Sequence, residues 1–262
     1  MAKVTKYPQG TFSWLETQST DAKKDKAFYA DVFGWEVKDV PMSADYSYTM
    51  FCKDGDDVAG LSPMDKNMQD AGIPSYWSAY ISVDDIDAVI AKAESLGAKV
   101  ILPVMDVADS GRMAAIIDPC GGSIAFWQPG KHIGSSRVNE DGALIWNELS
   151  TQNPDAVMKF YGELLGWTFD KYDDDGMDYW TIDNKGRMNG GIMKTPDGVQ
   201  PYWSSYIHVD DITNTVEKIK SNGGSLIQEP TEGGVGTMAI LASPTGAQLN
   251  IIQSNAVDEW VE

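Results

Sequence analysis

The chain has few of the residues on which metal centres, disulfide frameworks and nucleic-acid interfaces depend. Its 262 residues include two histidines, two cysteines and only three arginines. The two cysteines, Cys52 and Cys120, argue against a disulfide framework and fit a reducing cytoplasm. The formal net charge of −19 argues against a nucleic-acid partner, because binding to phosphates needs clustered Lys and Arg.

Long apolar runs are also missing. No segment approaches the length of about 18 apolar residues that would predict a membrane span, and the N-terminus has no apolar signal region. We therefore expect a cytoplasmic protein without membrane or nucleic-acid partners.

What the sequence does contain is a long internal repeat. FYADVFGW from Phe28 returns as FYGELLGW from Phe160, and YWSAYISVDDI from Tyr76 returns as YWSSYIHVDDI from Tyr202. A repeat of this period indicates two similar domains. The boundaries predicted from it are domain 1 over residues 1–130, a polar, glycine-rich linker over 131–141, and domain 2 over 142–262.

Each half shows the order of two consecutive βαβββ units. Cap residues and terminal glycines predict first helices over Ala22–Phe33 and Pro154–Leu165. The candidate caps of the second helices are Asp84 or Asp85 in the first half and Asp210 or Asp211 in the second. The polar stretch 65–74 is predicted to be a simple connection.

These motifs resemble the vicinal oxygen chelate superfamily, also called the glyoxalase/bleomycin-resistance/dioxygenase superfamily. The resemblance is carried by the FY…GW junction, the VDD helix entry and the D-P-x-G-G turn at Asp118. Within the superfamily, the chain is similar to a two-domain bacterial glyoxalase-like group whose members are often called hydroxylases. The resemblance implies an α+β fold of tandem glyoxalase-like domains. Four βαβββ units would form two open, cup-shaped mixed sheets with the helices outside, and the concave faces would bind ligands.

Metal-using relatives place four ligands, usually His, Glu or Gln, on the strands of such a cup. Carried over by counting from the motifs, these positions are Trp14, near Gly60, Ser78 and Ala125, and in the second half Trp146, near Gly191, Ser204 and Asn250. Neither set contains His, Glu or Cys, so we expect no metal and no other cofactor; a divalent metal at an atypical site is the disfavoured alternative. A site with two histidines would require His132 to leave the predicted linker and join His208.

Glu16 and Glu148 are the candidate catalytic residues. Each lies two residues beyond a matched tryptophan and would share its strand face. A carboxylate in an aromatic cup could act as a general acid or base. Because both halves keep it, a structural role is the alternative.

Aromatic residues on the same strands predict a stacking site, with core packing as the alternative. The candidate ligand-binding residues are Trp14, Trp77, Tyr80, Phe126, Trp146, Trp203, Tyr206 and His208. Tyr48 and its presumed counterpart Trp180 are candidates for the rim. The unmatched Arg112 is either an anion clamp or a surface residue.

The function predicted from the sequence is metal-independent binding of a small organic molecule in an aromatic-lined cup. Two alternatives stay open: a lyase, isomerase or dioxygenase with an atypical site, and a drug-sequestering protein of the bleomycin-resistance type. The sequence leaves open whether a reaction is catalysed. The expected partner is a small-molecule ligand, and the protein is expected to be a monomer or a homodimer.

Overall fold

The computed structural model describes residues 3–43, 46–172 and 176–257. The first half forms one eight-stranded mixed sheet in the order β2-β3-β4-β1-β5-β8-β7-β6. Its elements are β1 (Phe12–Ser19), α1 (Ala22–Phe33), β2 (Glu36–Pro41), β3 (Ser47–Lys53), β4 (Asp56–Pro63), α2 (Lys66–Asp70), β5 (Tyr76–Ser82), α3 (Ile86–Ser95), β6 (Lys99–Val107), β7 (Gly111–Ile117) and β8 (Ser123–Pro129).

The second half repeats this sheet in the order β10-β11-β12-β9-β13-β16-β15-β14. Its elements are β9 (Leu144–Thr151), α4 (Pro154–Leu165), β10 (Thr168–Tyr172), β11 (Tyr179–Asn184), β12 (Arg187–Lys194), β13 (Tyr202–His208), α5 (Ile212–Ser221), β14 (Ser225–Gly233), β15 (Gly236–Ala242) and β16 (Gln248–Ser254). The two sheets confirm the predicted tandem α+β architecture of four βαβββ units.

The predicted bounds of α1 and α4 are confirmed, but the side chain of Asn153, at the N-cap of α4, makes no capping hydrogen bond. Asp21 accepts a hydrogen bond from the Lys24 amide, and Gly34 ends α1 in the left-handed conformation that glycine adopts most easily. The predicted connection 65–74 instead contains the short helix α2. The Asp65 side chain caps α2 by accepting from the Met68 amide, a local signal that the sequence interpretation passed over.

The helices lie outside the two cups and pack the halves together, with α1 against α5 and α3 against α4. Tyr161 on α4 donates a hydrogen bond of 3.0 Å to Asp118 in the hairpin of the first half. The Trp35 indole donates to the Gly142 carbonyl, and the Trp167 indole donates to the Gly10 carbonyl. The halves therefore share one continuous apolar core and are expected to unfold together.

The predicted linker is anchored along the first half. The Ser135 amide donates to the Ser13 carbonyl, and the Ser136 amide donates to the Asp57 carbonyl, each at 2.7 Å. The outer ends of the two predicted domains, 1–2 and 258–262, lie outside the described residues. Within the described ranges, no helix is long and apolar enough to cross a membrane.

Candidate functional site

The concave face of the first sheet is filled by the chain's own side chains. Trp14, Tyr80 and Trp127 are buried there and pack together. The His132 ring meets the Trp14 ring edge-on at a centroid distance of 4.7 Å, and the His132 carbonyl accepts from the Trp127 indole. Thus the linker and one strand close the first cup.

The concave face of the second sheet borders a large cavity of about 1820 Å³. In the sheet register, Met113 of the first half faces Trp127 and its counterpart Met238 faces Ile252, so an isoleucine replaces the tryptophan that closes the first cup. Residues of the second half that line the cavity include Trp146, Glu148, Tyr179, Met193, Tyr202, Ser204, Tyr206, Met238, Ile240, Asn250 and Ile252. The second cup therefore offers an apolar and aromatic surface with a few polar groups.

Glu16 lies at the centre of the first sheet and is fully engaged by neighbouring donors. Oε1 accepts from Gln18 Nε2 at 2.5 Å and from Ser62 Oγ at 2.9 Å. Oε2 accepts from the Tyr48 hydroxyl at 3.0 Å and from the Tyr80 hydroxyl at 3.5 Å. This arrangement satisfies a buried carboxylate within the protein and supports a structural role for Glu16.

Glu148 occupies the equivalent position in the second sheet, opposite Gly191 and Ser204. The Tyr206 hydroxyl lies 3.4 Å from Oε1. Tyr179 is a second phenol beside the carboxylate, and it lowers the pKa of Glu148. Tyr179 in turn accepts from the Trp146 indole at 2.9 Å. Although the side chain is only 8% exposed, it contributes to the cavity wall.

Burial controls the electrostatics of both carboxyls. Loss of water raises the pKa of Glu148, and the hydrogen bonds from Tyr179 and Tyr206 lower it by a smaller amount. Burial also raises the pKa of Glu16, and hydrogen bonds from four donors lower it by a smaller amount. Burial raises the pKa of both Tyr179 and Tyr206, and the negative charge of Glu148 raises each of them further. Hence both tyrosines are neutral hydrogen-bond donors at ordinary pH.

Four of the sequence-predicted ligand-binding residues lie on the concave faces. Trp146 and Tyr206 line the second cup, whereas Trp14 and Tyr80 are packed inside the first. The binding role of all four residues stays a prediction, and Trp146 and Tyr206 line the large cavity.

Phe126 and the matched tryptophans Trp77 and Trp203 are placed differently. Phe126 is fully buried in the core on the opposite face, which corrects its predicted position in the cup. The indole of Trp77 donates to Tyr29 on α1, and that of Trp203 donates to Tyr161 on α4. Both tryptophans also border the cavity, but their indoles are directed towards the helices.

The two histidines do not come together. His208 is buried at the end of β13, with Nδ1 3.1 Å from the Ile252 carbonyl and Nε2 3.2 Å from Asp210. His132 instead lies over the first cup, with Nδ1 3.6 Å from Asp57. A two-histidine site is therefore not assembled in this structure.

Tyr179 was missed because the number of residues that separates matched positions is smaller by one in β11 and β12 than in α1 and α4. Counting from the helices matched Tyr48 with Trp180, yet the Tyr48–Trp14 hydrogen bond corresponds to that between Tyr179 and Trp146. Two glycines identify the correct pair, because each leaves space for a tyrosine hydroxyl. A Cβ built on Gly60 would lie 1.8 Å from the Tyr48 hydroxyl, and one on Gly191 would lie 1.8 Å from the Tyr179 hydroxyl.

The donor set of the second cup does not fit the metal site that the fold suggests. None of the matched positions Trp146, Gly191, Ser204 and Asn250 carries a carboxylate or an imidazole. Glu148 lies opposite Gly191 and Ser204 in the sheet register, and Tyr206 lies opposite Asn250. Across the described part of the chain, no group of three or more His, Cys, Asp or Glu side chains is arranged to hold a metal. We therefore derive no chemistry through a metal ion.

Arg112 has partners on the protein surface. Its guanidinium contacts Asp87 at 2.5 Å and Asp106 at 3.1 Å, and both carboxylates are exposed. This geometry supports the surface alternative for Arg112 over the anion clamp.

Relatives of known sequence cover nearly the whole chain. "Putative glyoxylase CFP32" of Mycobacterium tuberculosis (strain CDC 1551 / Oshkosh) is 38% identical over 257 residues, which cover 97% of this chain and 98% of that protein. "Anthracycline biosynthesis protein DnrV" of Streptomyces peucetius is 29% identical and is matched over 95% of each chain.

Solved structures agree with the fold. The Mn(II)-bound glyoxalase from Novosphingobium aromaticivorans superposes with a TM-score of 0.63 at 18% identity, covering 98% of this chain and 87% of that one. A variant of homoprotocatechuate 2,3-dioxygenase from B. fuscum gives a TM-score of 0.65 at 16% identity, covering 97% and 74%. At these identities the likeness shows the fold alone.

A family model settles the affiliation. The model described as "Glyoxalase/Bleomycin resistance protein/Dioxygenase superfamily" matches residues 11–126 and 143–251, one match in each half. With this match and the relative at 38% identity, the chain belongs to the glyoxalase/bleomycin resistance protein/dioxygenase superfamily.

Proposed function

We propose that the second cup binds a small aromatic organic molecule without the aid of a metal ion. The observation that carries this proposal is the contrast between the halves: one concave face is filled by Trp127 and His132, and the other borders a cavity of about 1820 Å³. Ligand sites are typically concave and mostly apolar, with a few polar groups that fix the ligand's orientation.

The lining of the second cup suggests the chemistry of its ligand. Trp146, Tyr202 and Tyr206 offer ring faces and edges for stacking, while Met193 and Met238 adapt to irregular shapes. The cavity exceeds the range of roughly 300–1,000 Å³ that is common for drug-sized molecules, and it extends beyond the second cup to Tyr76, Trp77 and Ser78 of the first half. A polycyclic aromatic compound with a hydroxyl or carbonyl group would use both the apolar wall and Glu148. The relative named for anthracycline biosynthesis is consistent with this class.

Isothermal calorimetry with alizarin, a planar dihydroxyanthraquinone, tests the proposal. We expect binding at one site per chain that Met238→Trp abolishes, because the larger ring would occupy the cup. The matched control is Met113→Trp, which enlarges the equivalent residue of the closed first cup. Binding that survives Met238→Trp, or is lost only in Met113→Trp, would overturn the assignment to the second cup.

Sequestration of a cationic aromatic drug is a second candidate function, favoured by the net charge of −19. Cationic rings would gain both long-range attraction and cation–π contacts. Calorimetry with daunorubicin, a positively charged anthracycline, at low and high salt separates the candidates. Tight daunorubicin binding that weakens strongly with salt, together with no alizarin binding, would favour sequestration.

A further inference from the structure

Building on the proposed binding function, we propose that Glu148 is the general base of a metal-independent proton transfer. The substrate class is an aromatic compound with an acidic C–H bond next to a carbonyl group. Three features of Glu148 support this role: the direction of the hydrogen bonds around it, its free acceptor capacity and its place in the cavity wall.

The direction of the hydrogen bonds follows from the donor inventory. An indole N–H can only donate, so the Tyr179 oxygen accepts the bond from Trp146. The hydroxyl hydrogen of Tyr179 is then available to Glu148, whose pKa this neighbour lowers. Tyr206 also directs its hydroxyl towards Glu148 Oε1. Both neighbours therefore donate, which favours a negatively charged carboxylate that can accept a proton.

Glu148 retains acceptor capacity that Glu16 has lost. In the first cup, Gln18 and Ser62 occupy the lone pairs of Oε1 at 2.5 and 2.9 Å. The residue that matches Gln18 is Ser150, whose hydroxyl is buried without a hydrogen-bond partner among the described residues. The residue that matches Ser62 is Met193, which lines the cavity and cannot donate a hydrogen bond. The open lone pairs of Glu148 are left for a bound molecule.

The proposed step needs no oxidant, reductant or further reactant. The C–H bond next to the carbonyl breaks, and its proton forms an O–H bond with Glu148. The electron pair of the C–H bond forms a C=C bond, and the carbonyl π pair moves onto oxygen to give an enolate. Return of the proton to the same carbon, or to the far end of a conjugated system, restores the carboxylate and yields an exchanged, epimerised or isomerised product.

Tyr206 is placed to assist this step. Its hydroxyl lies 3.4 Å from Glu148 Oε1, which is long for a hydrogen bond, and Asn250 lies opposite Tyr206 in the sheet register. A phenol held this way can turn its hydrogen towards an enolate oxygen in the apolar cavity. Burial raises the pKa of Glu148 and so makes its carboxylate a stronger base.

Deuterium exchange into β-tetralone tests the proposal. This bicyclic ketone has an acidic CH₂ group between its aromatic ring and its carbonyl, and proton NMR in deuterium oxide follows the loss of that signal. We expect the protein to accelerate exchange above the buffer rate, with or without chelator. Glu148→Gln should reduce the protein-dependent rate by about 10²–10⁴-fold, and Tyr206→Phe should reduce it less.

The matched control is Glu16→Gln, which should keep the wild-type exchange rate at a temperature where circular dichroism shows the variant folded. Calorimetry of β-tetralone with each variant separates binding from chemistry. Binding without protein-dependent exchange, or an unchanged rate in Glu148→Gln, would overturn the proposed base while leaving the binding function intact. If the wild-type protein binds neither β-tetralone nor alizarin, the binding function on which the inference rests is overturned instead.

Discussion

Glu16 and Glu148 offer a paired test of what each carboxylate does, because the same substitution meets two different surroundings. In Glu16→Gln, the new amide group faces hydroxyl or amide donors whichever way it is oriented, since Oε1 and Oε2 each accept two hydrogen bonds. In one orientation the amide faces Gln18 and Ser62, whose hydroxyl already accepts from Tyr46. In the other it faces Tyr48 and Tyr80. Tyr48 already accepts from the Trp14 indole, so its own hydrogen loses its acceptor in a buried site.

Glu148→Gln has a smaller expected cost. Its donors Tyr179 and Tyr206 border the open cavity, where water can satisfy a displaced hydroxyl. One buried donor left without a partner costs about 1–3 kcal/mol. We therefore expect Glu16→Gln to lower the free energy of unfolding by about 1–3 kcal/mol more than Glu148→Gln does.

Equilibrium urea unfolding at neutral pH, followed by circular dichroism and tryptophan fluorescence, measures this difference. For a chain of this size it corresponds to a gap in Tm of about 2–12 °C between the two variants. Equal losses of stability, or a larger loss in Glu148→Gln, would refute the assignment of Glu16 as the structural carboxylate and of Glu148 as the available one.

Three further predictions follow from the same contacts. Gly191→Ala should weaken alizarin binding by about tenfold or more, a loss of about 1.4 kcal/mol, because the new Cβ would lie 1.8 Å from the Tyr179 hydroxyl. The control Gly60→Ala should lower stability but leave binding unchanged, and calorimetry measures binding in both variants. Tyr161→Phe should destabilise the chain by about 1.5–3 kcal/mol in urea melts, because the Tyr161 hydroxyl donates to the Asp118 carboxylate. Tyr29→Phe should cost about 0.5–1.5 kcal/mol, because the Tyr29 hydroxyl accepts from the neutral Trp77 indole. Equal losses of stability in the two variants would count against this difference. Burial raises the pKa of Glu148 above its ordinary 4.5, so the native state binds this proton more tightly than the unfolded chain does. The protein should therefore lose stability as pH rises from 4.5 through the raised pKa, and Glu148→Gln should lose less than the wild type between pH 4.5 and 7. The same pH dependence in both proteins, measured by unfolding, would count against the buried anion.

The repeat made the fold predictable. Helix caps, terminal glycines and the two copies of each motif all indicated the same βαβββ order, and α1 and α4 begin and end where the sequence indicated. These signals are local, so they could be identified without knowing what each strand packs against. Glu148, Trp146 and Tyr206 were also predicted as site residues, and the structure places all three at one cavity.

The faces of the strands were harder to predict. Phe126 and Trp127 are neighbours on β8, so their side chains point to opposite faces of the sheet. The sequence predicted Phe126 in the cup, but Phe126 lies in the core and Trp127 lies in the cup. The closing of the first cup could not be foreseen either, because it depends on contacts between His132 of the predicted linker and Trp14, distant in sequence. Tyr179 was hidden by a change of one residue in the offset of the repeat.

The central claim is that the second cup is the ligand site and that Glu148 holds the ligand. Calorimetric titration of alizarin into the wild-type protein, Glu148→Leu and Glu16→Gln tests it most directly. The account predicts one site per chain, with binding lost or weakened at least tenfold in Glu148→Leu and retained in Glu16→Gln. Unchanged binding in Glu148→Leu, or no binding to the wild-type protein, would contradict it.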